Sequence, residues 1–256
     1  MSASFWDSSR KALVLSIWVI AVFLGVQFIL SFVYGGILYA IPALADVNAA
    51  VSVTIFAALV YVCSFLIVTG VPVLLHRQKV SRSLLGVDRS LTWSDIGLGF
   101  LAVLPYFLLS AGLVLIASAV WSGLDPEQKQ SIPFQDLTTQ LEYLVAFATL
   151  VVLAPIAEEL LFRGYLQGSL RKVMNKWSAV VLTAVLFGSL HLIGDFDENG
   201  VVLQWAAGID TFALGLVLAS LREFTGSVYA GILLHMLKNA IAFYFLFIYP
   251  MMAGTL

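Results

Sequence analysis

The sequence predicts an all-α polytopic membrane protein, a bundle of about seven transmembrane helices. Of its 256 residues, 61% are hydrophobic and only 11% are charged, whereas soluble domains carry about 25% charged residues. The mean hydropathy is +1.00, and apolar runs long enough to cross a bilayer recur along the chain. A single cysteine, Cys63, excludes a disulfide framework. No basic stripe interleaved with aromatic residues is present, so nucleic acid is not expected as a partner.

Seven segments have the length and apolar content of a membrane span. They are 12–40, 49–75, 96–121, 141–172, 177–193, 201–221 and 228–249. The first three are almost purely apolar, whereas the last four carry polar or charged residues inside the apolar run. No repeat or low-complexity tract separates them, so we expect residues 1–256 to form a single integral membrane domain.

The connections between spans alternate in charge, which predicts orientation by the positive-inside rule. One set of ends carries the bases Arg10, Lys11, Arg77, Lys79, Arg82, Arg89, Arg171, Lys172, Lys176 and Arg222. The opposite set carries the acids Asp46, Asp125, Glu127, Asp136, Asp195, Asp197 and Glu198, with Lys129 as its only base. We therefore expect a cytoplasmic N-terminus and an external C-terminus.

The fourth span contains charged residues, in the stretch "APIAEELLFRGYL". A charge in the middle of a bilayer costs about 2.5 to 3.5 kcal/mol and is usually functional. Glu159 and Arg163 are four residues apart, with the glutamate first, which favours an ion pair on one helix face. Glu158 is turned about 100° away from that face and lacks this partner. Pro155 removes a backbone donor one turn earlier, so we expect a bend there.

The fifth span ends in "VLFGSLHLIG" and brings His191 to the depth of Glu158. Both residues lie about 16 residues, or about 25 Å, from the turn near Met174 and Asn175. Antiparallel neighbouring helices can therefore place the carboxylate and the imidazole together.

The last span, "GILLHMLKNAIAF", presents His235 and Asn239 on one face because they are four residues apart. Asn239 is expected near the depth of Glu158 and His191. Each polar group alone has a simpler interpretation, such as an interhelical ion pair or a packed core histidine. Four polar groups on three helices at one level favour a shared site.

These residues resemble the motifs of the CAAX prenyl protease and bacteriocin-processing family, intramembrane glutamate proteases also called CPBP or Abi proteins. Its Glu-Glu-x-x-x-Arg motif matches Glu158, Glu159 and Arg163. Its Phe-x-x-x-His motif matches Phe187 and His191, and its His-x-x-x-Asn motif matches His235 and Asn239. The likeness covers about residues 150–245, and the helices of 141–249 are then expected to be the catalytic ones.

The resemblance implies an intramembrane endopeptidase that cleaves a membrane-associated or lipidated peptide or protein in the cytoplasmic membrane of a prokaryote. In that family scheme Glu158 and His191 activate a water molecule. His235 and Asn239 stabilise the oxyanion, and Glu159 with Arg163 holds Glu158 in place. No cofactor is required. A zinc-dependent version would use Glu158, His191 and His235 as metal ligands.

Two other functions stay open from the sequence. A non-enzymatic scaffold or immunity protein of the same fold would use the polar cluster for helix association. A transporter would use Glu158, Asp210 and Lys238 as a proton relay, although no inverted repeat is evident. Asp210 and Lys238 are expected either to form an ion pair or to line the polar cavity, or else to lie separately, with Lys238 extended toward the membrane surface and Asp210 nearer the outer interface.

Overall fold

The computed structural model describes residues 3–77, 79–128, 130–134, 137–197 and 200–253. Eight helices account for most of these residues, together with a short 3-10 turn, Pro42–Asp46. In chain order the helices are α1 (Ala3–Ala40), α2 (Ala49–His76), α3 (Arg82–Leu85), α4 (Trp93–Val120), α5 (Gln140–Leu170), α6 (Lys176–Leu190), α7 (Trp205–Thr225) and α8 (Tyr229–Ala253).

The predicted membrane bundle is confirmed. Six helices in the described ranges are long and apolar enough to cross a membrane, namely α1, α2, α4, α5, α7 and α8. Helix α6 is apolar but shorter, with 15 residues. The predicted spans match the observed helices closely, whereas the number of membrane crossings and the N-terminal orientation stay predictions.

A β-hairpin occupies the start of the segment predicted as the sixth span. Strands β1 (Ile193–Asp197) and β2 (Gly200–Leu203) pair antiparallel, and α7 begins only at Trp205. Gly200 has a positive φ of 117°, which a residue without Cβ adopts readily. The dipeptide Asn199-Gly200 is a strong hairpin signal that an apolar-run argument overlooks.

The basic connections gather at one end of the bundle. Arg222 donates from Nη2 to the carbonyls of Ser83 and Leu84, and Arg171 pairs with Glu223 at 3.1 Å. At the opposite end Asn48 donates to the Glu142 carboxylate, and the residues that follow α4 contact the hairpin. The charge asymmetry thus corresponds to two physical ends of the molecule, although Lys129, Asp136 and Glu198 lie outside the described residues.

Helix α5 crosses the interior and carries the buried charges. Its Gly164 and Gly168 lie against the backbone of α3, where an added Cβ would come within 3.0 Å and 2.5 Å of the Leu85 and Leu84 carbonyl oxygens. Two core clusters surround the helix. The larger includes Phe162, Phe187, Leu214, Leu218 and Leu234, and the smaller includes Ala146, Val151, Phe243 and Phe247. Tight packing on several sides thus fixes which way its side chains point.

Candidate active site

The backbone of α5 departs from α-helical geometry on both sides of the glutamates. Ala148–Leu153 and Leu160–Leu166 are π-helical, with Ala154–Glu159 between them. Such π segments occur often at functional sites. Before Pro155, the Ala154 N–H donates to Thr149 O, a bond that spans five residues. The predicted irregularity at Pro155 is therefore present, as a change of helix register.

Asn239 compensates for the donor that Pro155 lacks. In the five-residue pattern, the next bond would run from residue 155 to Leu150 O, but proline has no N–H. The Asn239 side-chain amide donates to Leu150 O instead, at 2.8 Å. One amide hydrogen of Asn239 is therefore used to hold α8 against α5. The second amide hydrogen and the side-chain oxygen have no such use in the described structure.

Glu159 and Arg163 form the ion pair that their spacing predicts. Arg163 Nη1 donates to Glu159 Oε1 at 2.8 Å, and both side chains are 0% exposed. The guanidinium also stacks on the Phe187 ring, with Cζ 4.1 Å from the centroid. Within the described residues, Glu159 Oε2 and two of the three guanidinium nitrogens have no hydrogen-bond partner. Removing one member of such a buried pair costs about 3–5 kcal/mol, so the pair is a fixed scaffold.

His235 lies between the two glutamates. Its Nδ1 is 3.2 Å from Glu159 Oε1, and its Nε2 is 3.8 Å from Glu158 Oε2. Because an ionised carboxylate only accepts hydrogen bonds, Nδ1 carries a proton. Nε2 therefore bears a lone pair in the neutral ring and an N–H only in the imidazolium form.

Glu158 has a neutral partner that sequence reasoning missed. The Tyr61 hydroxyl of α2 donates to Glu158 Oε1 at 2.7 Å. The Glu158 side chain is 13% exposed, in contrast to that of Glu159. A tyrosine in the middle of an apolar span needs a partner for its hydroxyl, and this requirement was the available signal. Which partner it finds depends on how α2 rotates against α5, which the sequence does not encode locally.

His191 lies immediately after α6 and its ring orientation is fixed. Nδ1 is 2.9 Å from the Phe187 carbonyl oxygen, so Nδ1 must be the protonated nitrogen because a carbonyl only accepts. The ring contacts Phe187 with 4.8 Å between centroids. Nε2 then bears the lone pair in the neutral ring, as a water-activating group requires.

Phe187 organises the aromatic side of the site. Besides His191 and Arg163, its ring meets His235 in an edge arrangement with centroids 5.9 Å apart. One buried phenylalanine thus touches a residue from each of the three motifs. Packing around the site therefore explains the phenylalanine of the Phe-x-x-x-His motif.

Asp210 and Lys238 form a second polar cluster. Lys238 Nζ lies 3.5 Å from Asp210 Oδ2. Tyr106 and Ser110 donate to Asp210 Oδ1 at 2.7 Å and 2.6 Å. Of the interpretations offered by the sequence, the ion pair is present, so the expectation that the two side chains lie separately is wrong. Long-range packing of α4 against α7 supplies the hydroxyls that hydrogen-bond to this partly buried carboxylate.

The structure brings the predicted residues together with different contacts from those expected. No direct hydrogen bond or ion pair joins Glu158 to His191 in the described structure, although His191 interacts electrostatically with Glu158, His235 and Lys238. His235 is the imidazole in direct contact with both glutamates. Among the described residues, no group of three or more His, Cys, Asp or Glu side chains is arranged to hold a metal ion.

Comparison with known proteins points to one family. Residues 140–241 match the family model described as type II CAAX prenyl endopeptidase Rce1-like, which confirms the resemblance seen in the motifs. The chain is also 29% identical over 166 residues to the uncharacterized protein YyaK of Bacillus subtilis (strain 168), covering 63% of this chain and 51% of that protein. It thus spans about half the length of this curated relative. No solved structure matches significantly.

The matched segment begins at the first residue of α5 and ends in α8, two residues after Asn239. It therefore contains all three motifs, whereas Tyr61 lies outside it. Over residues 140–241, this integral membrane protein is similar to the Rce1-like type II CAAX prenyl endopeptidases.

Proposed function

We propose that the protein is an intramembrane endopeptidase in which Glu158 is the general base. The observation that carries the proposal is the different environment of two adjacent glutamates. Glu159 is neutralised by Arg163 and bound by His235 at 3.2 Å, whereas Glu158 accepts from a neutral hydroxyl and lies 3.8 Å from His235 Nε2. A helix-packing role needs only one ion pair. A partly accessible carboxylate beside two histidines is what water activation needs.

In the proposed reaction, Glu158 accepts a proton from a water molecule whose oxygen attacks the carbonyl carbon of the scissile peptide. The lone pair on His191 Nε2 accepts a hydrogen bond from the second O–H of this water and so orients the water. The tetrahedral intermediate then collapses as the C–N bond breaks, and protonated Glu158 returns its proton to the leaving amine. This sequence leaves the enzyme unchanged and forms a carboxylic acid and an amine.

His235 and Asn239 are proposed to stabilise the oxyanion. Because Nδ1 of His235 faces Glu159, Nε2 donates only when the ring is an imidazolium. Asn239 contributes the amide hydrogen that is not bonded to Leu150 O. Preorganised donors of this type contribute about 3–4 kcal/mol each in known hydrolases.

The proposed substrate is a membrane-anchored or lipidated peptide or protein, because Glu158 lies on a membrane-spanning helix and a substrate must reach it from the bilayer. The CAAX prenyl endopeptidase family supports a cleavage site near a lipid anchor. The Bacillus relative supports the cytoplasmic membrane of a prokaryote as the location.

We propose a metal-free mechanism. Nδ1 of each histidine is already directed at a protein acceptor, and Asn239 is a poor zinc ligand. The alternative zinc site of Glu158, His191 and His235 would require both remaining Nε2 atoms to turn to one ion. Retained cleavage after prolonged treatment with a strong chelator is expected, and loss that zinc restores would favour the zinc mechanism.

The central test is the Glu158→Gln variant in a peptide-library cleavage assay on the purified protein. Gln keeps the shape and accepts the Tyr61 hydrogen bond but cannot take a proton, so cleavage should fall roughly 100-fold or more. Membrane abundance should stay at the wild-type level. Glu127→Gln, in an exposed loop, is the matched control and should retain full activity. Full activity of Glu158→Gln would instead favour the scaffold or immunity function.

A further inference from the structure

A cleft of about 860 Å³ opens between α1, α2 and the end of α5. It lies at the basic end of the bundle, the end that the charge asymmetry assigns to the cytoplasm. Its lining from α5 and the turn after it runs from Tyr165 to Lys172, which places it about two to four turns beyond the glutamates. None of Glu158, His191, His235 or Asn239 lines it, so it is separate from the candidate active site.

Four basic side chains line this cleft, and they come from three parts of the chain. Arg10 and Lys11 belong to α1, Lys79 to the connection after α2, and Lys172 to the turn after α5. Asp7 pairs with both Arg10 and Lys11. Lys79 and Lys172 have no charged or hydrogen-bonded side-chain partner among the described residues. Four cations against one carboxylate leave an excess of three positive charges.

The walls of the cleft are apolar. They include Val14 and Trp18 of α1, Val71 and Leu75 of α2, and Tyr165 of α5. The Trp18 indole N–H donates to Val68 O at 3.2 Å, so its ring presents apolar surface with no unmet hydrogen bond. Val14 and Leu75 are 61% and 72% exposed. The cleft therefore has a cationic mouth and a hydrocarbon-like floor that is open to the surrounding membrane.

We infer that this cleft binds an anionic glycerophospholipid. The phosphate diester would lie among Lys79, Lys172, Arg10 and Lys11, and an acyl chain would lie along Trp18 and the apolar walls. A free phosphate ion would leave the walls exposed, and a zwitterionic lipid would leave the excess positive charge uncompensated. Basic pockets between membrane helices at the cytoplasmic side characteristically bind acidic headgroups, and the volume is within the range of about 300–1,000 Å³ for ligand sites.

Tryptophan quenching by brominated acyl chains tests this inference on the full-length protein in nanodiscs. Brominated phosphatidylglycerol and phosphatidylcholine with identical chains are titrated into non-brominated lipid. Because the chain has six tryptophans, the Trp18 signal is the difference between wild type and Trp18→Phe. We expect phosphatidylglycerol to half-quench this signal at a mole fraction about tenfold lower than phosphatidylcholine does. Equal quenching by the two lipids would overturn the inference.

Paired charge variants separate the cleft from a general attraction of acidic lipid to the basic end. Lys79→Ala with Lys172→Ala should weaken the phosphatidylglycerol response roughly tenfold to thirtyfold. The control is Arg77→Ala with Lys176→Ala, which removes the same charge from residues that do not line the cleft. This double variant should change the phosphatidylglycerol response less than about twofold. Equal effects of the two double variants, or displacement of the lipid by excess inorganic phosphate, would contradict a lipid-specific cleft.

Discussion

At the scale of single residues, two neighbouring glutamates acquire different chemistry from side chains that are distant in sequence. The partner of Glu159 within its own helix follows from the four-residue spacing, which is why the Arg163 ion pair could be predicted. Its second partner, His235, comes from α8. The Tyr61 hydroxyl on Glu158 comes from α2. These contacts depend on helix rotation and on which faces pack, and neither is fixed by local spacing.

Tyr61→Phe tests whether the hydroxyl positions Glu158 for proton transfer. A hydrogen bond to a charged group contributes about 1.5–3 kcal/mol, and its loss frees the carboxylate to adopt other rotamers. We expect kcat to fall about tenfold or more, with KM changed less than about twofold and normal protein abundance. Steady-state kinetics on a cleaved peptide provides the measurement.

Tyr106→Phe is the matched control, because Tyr106 also donates to a partly buried carboxylate, that of Asp210. It should leave kcat within about threefold of wild type. A similar fall in both variants would show that Tyr61 acts only through general stability.

At the scale of secondary structure elements, α5 shows why a proline can be placed beside a reactive residue. The π register before Pro155 leaves Leu150 O without its backbone donor, and Asn239 supplies one from α8. The sequence predicted a disturbance at Pro155. It did not predict that Asn239, the last residue of His-x-x-x-Asn, would supply the missing hydrogen bond. That prediction would require the relative register of α5 and α8 to be known.

A double-mutant cycle between Asn239 and Pro155 tests this compensation. In the wild-type background, Asn239→Ala leaves a carbonyl unsatisfied and should lower the free energy of unfolding by about 1–3 kcal/mol. In the Pro155→Ala background the new N–H can reach Leu150 O, so the same change should cost about 1 kcal/mol less. Unfolding in mixed detergent micelles, followed by circular dichroism, measures the free energy of unfolding in both backgrounds.

Asn175→Ala serves as the control for the cycle. Asn175 caps α6 by accepting from the Ser178 N–H, far from Pro155 in the chain. Asn175→Ala should lower the free energy of unfolding by the same amount in both backgrounds, because the effects of substitutions at separated sites are additive. Equal costs for Asn239→Ala in the two backgrounds would refute the compensation.

The elements themselves were largely predictable, since long apolar runs mark membrane helices. The exception is the segment after His191, where an apolar β-branched sequence was assigned to a helix. Val201 and Val202 fit a strand as well as a span, and Asn199-Gly200 decides between them. A continuous apolar run hides such a boundary because hydropathy alone does not separate the two geometries.

At the scale of the whole molecule, α6 decides the topology. Its 15 residues extend about 22 Å, less than the bilayer core of about 30 Å. If α6 nevertheless crosses, the chain has seven spans and its two termini lie on opposite sides. The grouping of Arg222 with α3, and of Asn48 with Glu142, at opposite ends of the bundle supports seven crossings.

Reporter fusions at both termini measure the number of crossings. Green fluorescent protein at the N-terminus should fluoresce, as it does in the cytoplasm. Alkaline phosphatase at the C-terminus should be active, as it is outside. A cytoplasmic C-terminus would contradict the seven-span prediction and give α6 a position inside the bundle without crossing. Exchanging the two reporters provides the control, because each should then be silent.

The hairpin β1–β2 begins two residues after His191, and the segment after α4 holds it through Gln204 to Ser131 and Gln128 to Leu203. The chain that directly follows His191 is therefore held outside the bundle, by strands that contain none of the motif residues. Lengthening or shortening this hairpin would shift the His191 ring relative to Glu158. Evolution could thus tune reaction rate at a distance while all three motifs stay untouched.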